Sequence, residues 1–187
     1  MTDPAELASL KARLRLDARR VRQAADPQGA GEAAAAHFPA ALTGPGVVAA
    51  YWPLGGEFDP LPLIERLRAS GAEIALPRIA DRSGQPRFLA WPPRGDLSPD
   101  AFGVMAPPAD QLEVRPRLIL TPLLAFDGRG GRLGQGGGYY DRTFAARPDV
   151  TRIGFAYAGQ AVDELPAEPH DMRLHGVLTE TGYRPFA

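Results

Sequence analysis

The chain has 187 residues, with 21 Lys and Arg against 22 Asp and Glu, giving a formal net charge of −1 at pH 7. That length suits one compact domain spanning 1–187 with a sizeable core, and the near-balance of charge leaves no general field to hold nucleic acid. Hydrophobic residues at 44% and charged residues at 23% exclude a disordered chain, no apolar run is long enough to span a bilayer, and the absence of Cys removes disulfide frameworks, thiolate metal sites and cysteine nucleophiles. No secretory h-region opens the sequence, and Asp3, Glu6 and Asp17 argue against a transit peptide, so the chain reads as cytoplasmic. Gly (21) and Pro (20) are both abundant enough to predict many turns and specialised loops, and Lys11 is the only lysine.

Pro4 to about Ala25 predicts an amphipathic helix, with Asp3 as N-cap and Glu6 three residues later. Leu7, Leu10, Leu14, Ala18 and Val21 form one apolar stripe, Leu16 falls outside it, and Lys11, Arg15 and Arg22 lie in a sector about 40° wide along one border. An Ala-rich helix follows over Gly31 to Ala41. Val47 to Trp52 predicts a buried strand, Asp59-Pro60 starts a helix that ends near Gly71, and Glu73 to Pro77 resumes a strand, which makes a β-α-β unit. Arg87 to Trp91 is a further strand, and Pro92 to Asp110 an extended surface connection. Arg117 to Thr121 is a strand, Tyr139 to Arg147 a short helix, and Thr151 to Tyr157 and Val177 to Thr181 later strands. This alternation predicts a single three-layer α/β/α domain with a largely parallel sheet, Rossmann-like and similar in architecture to sugar-phosphate isomerases.

The segment from Gly128 to Asp141 leaves a strand, carries seven glycines and enters a helix. Glycines in that setting expose backbone N–H groups at the positive end of a helix and let a phosphate approach closely. No Gly-Lys-Ser/Thr closes the segment and no G-x-G-x-x-G register runs through it, which disfavours the common nucleotide folds while leaving phosphate binding open. A run of tight turns is the plain alternative, and Asp141 alone is equally a first-turn carboxylate favoured by the helix dipole.

The string Arg132-Leu133-Gly134-Gln135-Gly136-Gly137-Gly138-Tyr139-Tyr140-Asp141 resembles the signature of the 5-formyltetrahydrofolate cyclo-ligase family. Lys11 to Arg15 is similar to that family's K-x-x-L-R, Tyr51 to Glu57 to its strand-then-Glu segment, and Pro169-His170-Asp171 with Thr179-Glu180 to its H-D…T-E pattern. The likeness spans nearly the whole chain in the expected order. It implies an ATP-dependent ligase of one-carbon metabolism that turns 5-formyltetrahydrofolate and ATP into 5,10-methenyltetrahydrofolate, ADP and phosphate. It further implies that Lys11, Arg15 and Arg132 through Tyr140 bind ATP, and that Lys11, Arg132 and Tyr140 act in catalysis. Trp52, Glu57, Gln135, Gly136, Gly137, Gly138 and Tyr139 fall at folate-contacting positions, and Asp141 and Asp171 at the Mg²⁺ carboxylates. From the residues alone, Trp52 reads first as core, and the plain alternatives are a loop cap for Asp171, a structural histidine for His170 and surface for His37. His175 stands where many relatives carry an acidic residue, and no pterin-wall residues can be matched between Arg82 and Pro116. The implied partners are small molecules, with no nucleic acid or membrane, and the implied state is a monomer. Two rivals share the architecture, a sugar-phosphate isomerase or hydrolase and a non-catalytic nucleotide binder.

Overall fold

The computed structural model describes residues 4–81 and 85–186, so Asp3 lies outside the described residues. Helix α1 spans Pro4–Gln23 and α2 Ala30–His37, followed by a 3-10 turn at Ala40–Leu42. Next come β1 (Gly46–Ala49), α3 (Leu61–Ala69), β2 (Ala72–Arg78), β3 (Arg87–Ala90), and the short strands β4 (Ser98–Pro99) and β5 (Met105–Ala106). The second half holds β6 (Leu118–Pro122), β7 (Ala125–Asp127), β8 (Arg132–Leu133), α4 (Tyr139–Ala146), β9 (Thr151–Phe155), β10 (Ala161–Val162), β11 (Gly176–Thr179) and β12 (Gly182–Pro185). Among the described residues no helix is long and apolar enough to cross a membrane.

Seven strands form one sheet in the order β12-β11-β9-β6-β1-β2-β3. The inner five pair in parallel, and β3 and β12 add antiparallel edges. On one face Ala34 and Ala35 of α2 and Leu63, Ile64 and Leu67 of α3 pack over Val48, Ile74, Leu118 and Ile153. On the other face Phe144 of α4 meets Ala49, Ala75, Ile119 and Val150. The central strands are apolar on both sides because both faces are covered, which is why they read as unbroken hydrophobic runs. The expected helix-sheet-helix layering and largely parallel sheet are therefore present.

Several expectations need correction. The apolar stripe of α1 packs only in its middle: Leu10 and Val21 are 39% and 46% exposed, while Lys11 and Arg22 are each only 7% exposed. Leu14 and Ala18 alone join a small cluster with Ala125, Leu133 and Leu165, so the helix is rolled toward its cationic border. Leu16 is exposed, as its position outside the stripe predicts. The strand read over Val47 to Trp52 stops at Ala49, and Tyr51 and Trp52 continue past the sheet. The Pro92 to Asp110 stretch is more than a connection, because β4 and β5 pair within it.

The turn from β7 to β8 fixes where the glycine-rich segment starts. Asp127 accepts hydrogen bonds from the amides of Arg129, Gly131 and Leu165, and the Leu174 amide donates to Gly130 O at 2.9 Å. Gly130 is left-handed (φ 79°), and a Cβ there would stand 2.8 Å from Leu174 O. Gly130→Ala is thus expected to lower unfolding free energy by about 2 kcal/mol. Gly128 is not left-handed, and an added Cβ would meet the mobile end of Arg184 at 3.1 Å, so Gly128→Ala should stay within about 0.5 kcal/mol of the parent. Urea unfolding of the two variants checks the difference, and equal losses would contradict it.

Candidate active site

A cavity of 470 Å³ opens where β1, β2 and β6 end. Tyr51 and Trp52 follow β1 into it, Pro77 lies near the end of β2 with Ile79 just past it, and Pro122 ends β6 with Leu123 following. From β1 the chain builds the sheet outward first to one side and later to the other, so the strand order reverses between β1 and β6. The connections after those two strands diverge and leave a crevice, which is where open α/β sheets receive ligands.

The cationic row of α1 closes one end. Lys11 Nζ lies 2.7 Å from Glu168 Oε2 and 2.6 Å from Asp171 Oδ2. Burial opposes the ammonium, but its hydrogen bonds and charge pairing with Asp171 and Glu168 prevail and raise its pKa. For Asp171 burial acts upward, yet the bonds from Lys11 Nζ and the Glu168 amide hold its carboxyl below the usual range. Arg15 Nε donates to Gly134 O at 2.9 Å, and Arg19 Nη2 donates to Gln135 Oε1 at 2.9 Å. Arg132, nearly buried, pairs through Nη2 with Asp141 Oδ1 at 2.7 Å, donates through Nη1 to Met172 O, and stacks over Phe144.

The glycine segment runs from β8 into α4 along this row. Gly138 is the left-handed N-cap of α4, so no side chain covers the first-turn amides. A Cβ on Gly136 would press on the Arg15 guanidinium at 3.3 Å, and one on Gly137 would enter the Tyr139 ring at 2.6 Å. The glycines therefore allow the loop to lie close to both neighbours, and the open amides at a helix start suit an anion.

At the other end, Gly55 and Gly56 are both left-handed (φ 52° and 76°), and the Glu57 amide donates to Leu54 O at 2.9 Å. This mirror-image turn needs two residues without side chains. It brings Glu57 back on itself, so that Oε2 accepts from the Leu54 amide at 3.2 Å and Oε1 lies 3.5 Å from Arg22 Nη1. Arg22 Nη2 also donates to Gly55 O at 3.1 Å. Burial raises the Glu57 pKa against the pull of the Leu54 amide and Arg22. Burial, reinforced by the charge on Glu57, pushes the Tyr140 phenol well above its ordinary value, so Tyr140 is a neutral hydrogen-bond donor. Trp52 is half-buried, meets Trp91 edge to face at 6.0 Å, and lines the cavity, so it serves core and pocket together.

Lys11, Arg15, Trp52, Glu57, Arg132 through Asp141 and Asp171 thus share one cavity. Glu168, Arg19 and Arg22 were not singled out as site residues from the sequence, although Arg22 stood on the same helix border as Lys11 and Arg15. Phe102 and Val104 line the cavity from the stretch that had no match. His37 and His170 are both exposed. His175 accepts from the Arg152 amide at 3.0 Å outside the cavity, and burial together with the Arg152 charge lowers its pKa. For a divalent cation, Glu168, His170 and Asp171 offer ligand atoms within 4.8 Å of one another. Among the described residues, the contacts of Asp141 with Arg132 and the Met172 amide both engage Oδ1. Carboxylate oxygens of this kind fit Mg²⁺, which takes one or two of them and completes its shell with phosphates and water.

The 5-formyltetrahydrofolate cyclo-ligase family matches this chain over residues 5–180. The chain is similar to the 5-formyltetrahydrofolate cyclo-ligase of Escherichia coli K12, 37% identical over 139 residues that cover 71% of this chain and 76% of that protein. It is similar to the 5-formyltetrahydrofolate cyclo-ligase of Mycolicibacterium smegmatis, 39% identical over 142 residues, 71% of this chain and 72% of that one. Its fold is similar to the NMR structure of Aquifex aeolicus 5,10-methenyltetrahydrofolate synthetase, with a TM-score of 0.78 and 27% identity over 94% of this chain and 92% of that one. A match over residues 5–180, together with 37% and 39% identity to curated members, places the chain in the 5-formyltetrahydrofolate cyclo-ligase family.

Proposed function

We propose that the cavity holds ATP and 5-formyltetrahydrofolate side by side and closes the folate to 5,10-methenyltetrahydrofolate, releasing ADP and phosphate. The observation that carries this reading is the continuity of one cavity from Lys11, Arg15 and the glycine segment to Trp52 and Glu57. A formyl oxygen is a poor leaving group as hydroxide. Attack of that oxygen on the γ-phosphorus, with ADP departing, converts it to a phosphate ester. N10 then attacks the formyl carbon and loses its proton, and phosphate leaves with the C–O bond. The substrate supplies the nucleophile, so the protein has to align two ligands and offset phosphate charge.

Lys11 is a compact charge for a phosphate, and a triphosphate entering there competes with Glu168 and Asp171 for it. Among the described residues Arg15 donates to the neutral Gly134 carbonyl and has no carboxylate partner, and Arg132 holds Asp141. Tyr140, kept protonated by its surroundings, is placed to donate to an oxygen that gains charge. Asp141 and Asp171 are the carboxylates for Mg²⁺, which when bound supplies neutralisation of the phosphate charge. Trp52 offers an aromatic wall to the pterin, and Glu57 an acceptor for its N–H groups.

Mixing the protein with 5-formyltetrahydrofolate and MgATP, and following the absorbance of the methenyl product with and without nucleotide, tests the reading. Product is expected only with ATP. Turnover of a sugar phosphate without nucleotide, or nucleotide binding with no methenyl product, would overturn it. Lys11→Ala should raise the KM for ATP about tenfold while changing that for the folate about twofold or less. Small, equal changes in both steady-state constants would remove Lys11 from the nucleotide site.

Glu57 and Arg22 give a pH prediction. An acceptor carboxylate must be ionised, so kcat/KM for the folate falls as pH drops through the raised Glu57 pKa. Arg22 favours the ionised form, so Arg22→Met should move this acid limb to higher pH, and Arg22→Lys should restore much of it. Glu57→Gln should lower kcat/KM for the folate about tenfold and abolish the limb. A limb that stays in place in all three variants belongs to another group.

A further inference from the structure

The loop that carries Glu57 is pinned across its base. β1 stops at Ala49, and the Ala50 amide donates to Ala75 O of β2 at 2.9 Å, so Tyr51 leaves the sheet from a fixed point. Seven residues later the chain returns: Tyr51 Oη donates to Phe58 O at 2.5 Å, a buried bond that closes the loop 51–58. Among the described residues no other group donates to Phe58 O. The Phe58 ring is 2% exposed and lies 4.6 Å from the Phe155 ring and 4.5 Å from that of Tyr157. Phe58 is thus held twice, by its ring in the core and by its carbonyl on Tyr51.

Inside this closed loop the turn has little stiffness of its own. Gly55 and Gly56 have open space where a Cβ would stand, and Leu54 is 44% exposed. Glycines without close neighbours leave a turn many accessible conformations, so its shape is imposed from outside. Arg22 imposes it at the tip, through Gly55 O and the Glu57 carboxylate. Tyr51 imposes it at the exit, one residue past Glu57. Among the described residues no hydrogen bond joins Tyr51 to Glu57, and the Tyr51 phenol is committed to a carbonyl although the residue lines the cavity. Stripping a buried carbonyl of its donor is costly, which makes the phenol a firm anchor for Phe58.

We infer that Tyr51 is a positioning residue: by holding Phe58 O it sets where the Glu57 carboxylate stands in the cavity. The inference rests on the reading of Glu57 given above, as an acceptor for the pterin N–H groups. An acceptor displaced by a fraction of an ångström loses directional bonds to a flat ligand. The opposite end of the cavity, built on Lys11, Arg15 and the glycine segment, does not pass through this loop. Loss of the Tyr51 hydroxyl is therefore a lesion felt by the folate and not by ATP, which separates positioning from general support of the core.

The test is a double-mutant cycle in the full-length protein, with Tyr51→Phe, Glu57→Gln and the two combined. Tyr51→Phe is expected to raise the KM for 5-formyltetrahydrofolate about fivefold, with the KM for ATP changed about twofold or less. In the Glu57→Gln background the same substitution should change the folate KM less than about twofold, because the group it positions is already altered. Ile153→Val, a core truncation outside the cavity lining, should loosen the fold and leave both KM values as in the parent. An unchanged folate KM in Tyr51→Phe, an equal rise for ATP, losses that multiply in the double variant, or the same folate effect from Ile153→Val would each overturn the inference. If Tyr51→Phe does not fold, Phe58→Leu enters the same cycle, since it loosens the other hold on Phe58, and a parental folate KM there overturns the inference equally. A parent protein that makes no methenyl product, or a Glu57→Gln with the parental folate KM, overturns the reading beneath it instead, and each is seen before Tyr51 is varied.

Discussion

Lys11 reaches 160 positions along the chain to Asp171, and 157 to Glu168, to form a three-way ion pair with its ammonium almost out of water. An ammonium in that position is costly unless its charge is met at hydrogen-bond distance, and here two carboxylates meet it. The geometry of the site follows from that requirement. Once Lys11 is drawn in, α1 is rolled so that Arg15, Arg19 and Arg22 follow on the same side, one turn apart. Arg15 and Arg19 then reach the glycine segment, and Arg22 reaches the turn that carries Glu57. One helix therefore touches both ends of the cavity.

The sheet supplies the complementary constraint. Strands β1, β2 and β6 are buried on both faces and cannot shift without opening the core, so the residues that leave their ends start from fixed points. Rigid strand ends on one side and a salt-bridged helix on the other leave a cleft whose width is set by packing. Gly136 and Gly137, between β8 and α4, are needed because the Arg15 guanidinium and the Tyr139 ring already fill the adjoining space.

Much of this was legible in the sequence, and the failures share a cause. The parallel core was readable because double burial produces apolar runs, and the special loop before α4 because glycines cluster where the chain must pack closely between strand and helix. In α1 the positions of Lys11, Arg15 and Arg22 on one border were correct, but not the side that packs. Periodicity cannot rank an apolar stripe against a cationic edge when the deciding partners, Glu57, Glu168 and Asp171, come from distant segments. β7, β8 and β10 have two or three residues each, too few to carry any period. The cavity lining by Phe102 and Val104 was invisible for a related reason, since it depends on Arg78 and Asp100 fixing a Pro-rich stretch that has no repeat of its own.

The charge arrangement reconciles near-zero net charge with the highly charged ligand proposed for the cleft. Lys11 faces Glu168 and Asp171, Arg132 faces Asp141, and Arg22 faces Glu57, so the cations of the cleft are largely balanced before anything binds. Such a cleft projects little long-range field and gives no general attraction for polyanions. Its selectivity must come from exchange of partners at short range, where low dielectric magnifies each contact and a misplaced charge is left without a counter-ion. A ligand that brings phosphates to the cations without also meeting the carboxylates they release leaves buried negative charge behind. Shape alone would not impose that test on an incoming anion, whereas paired charges do.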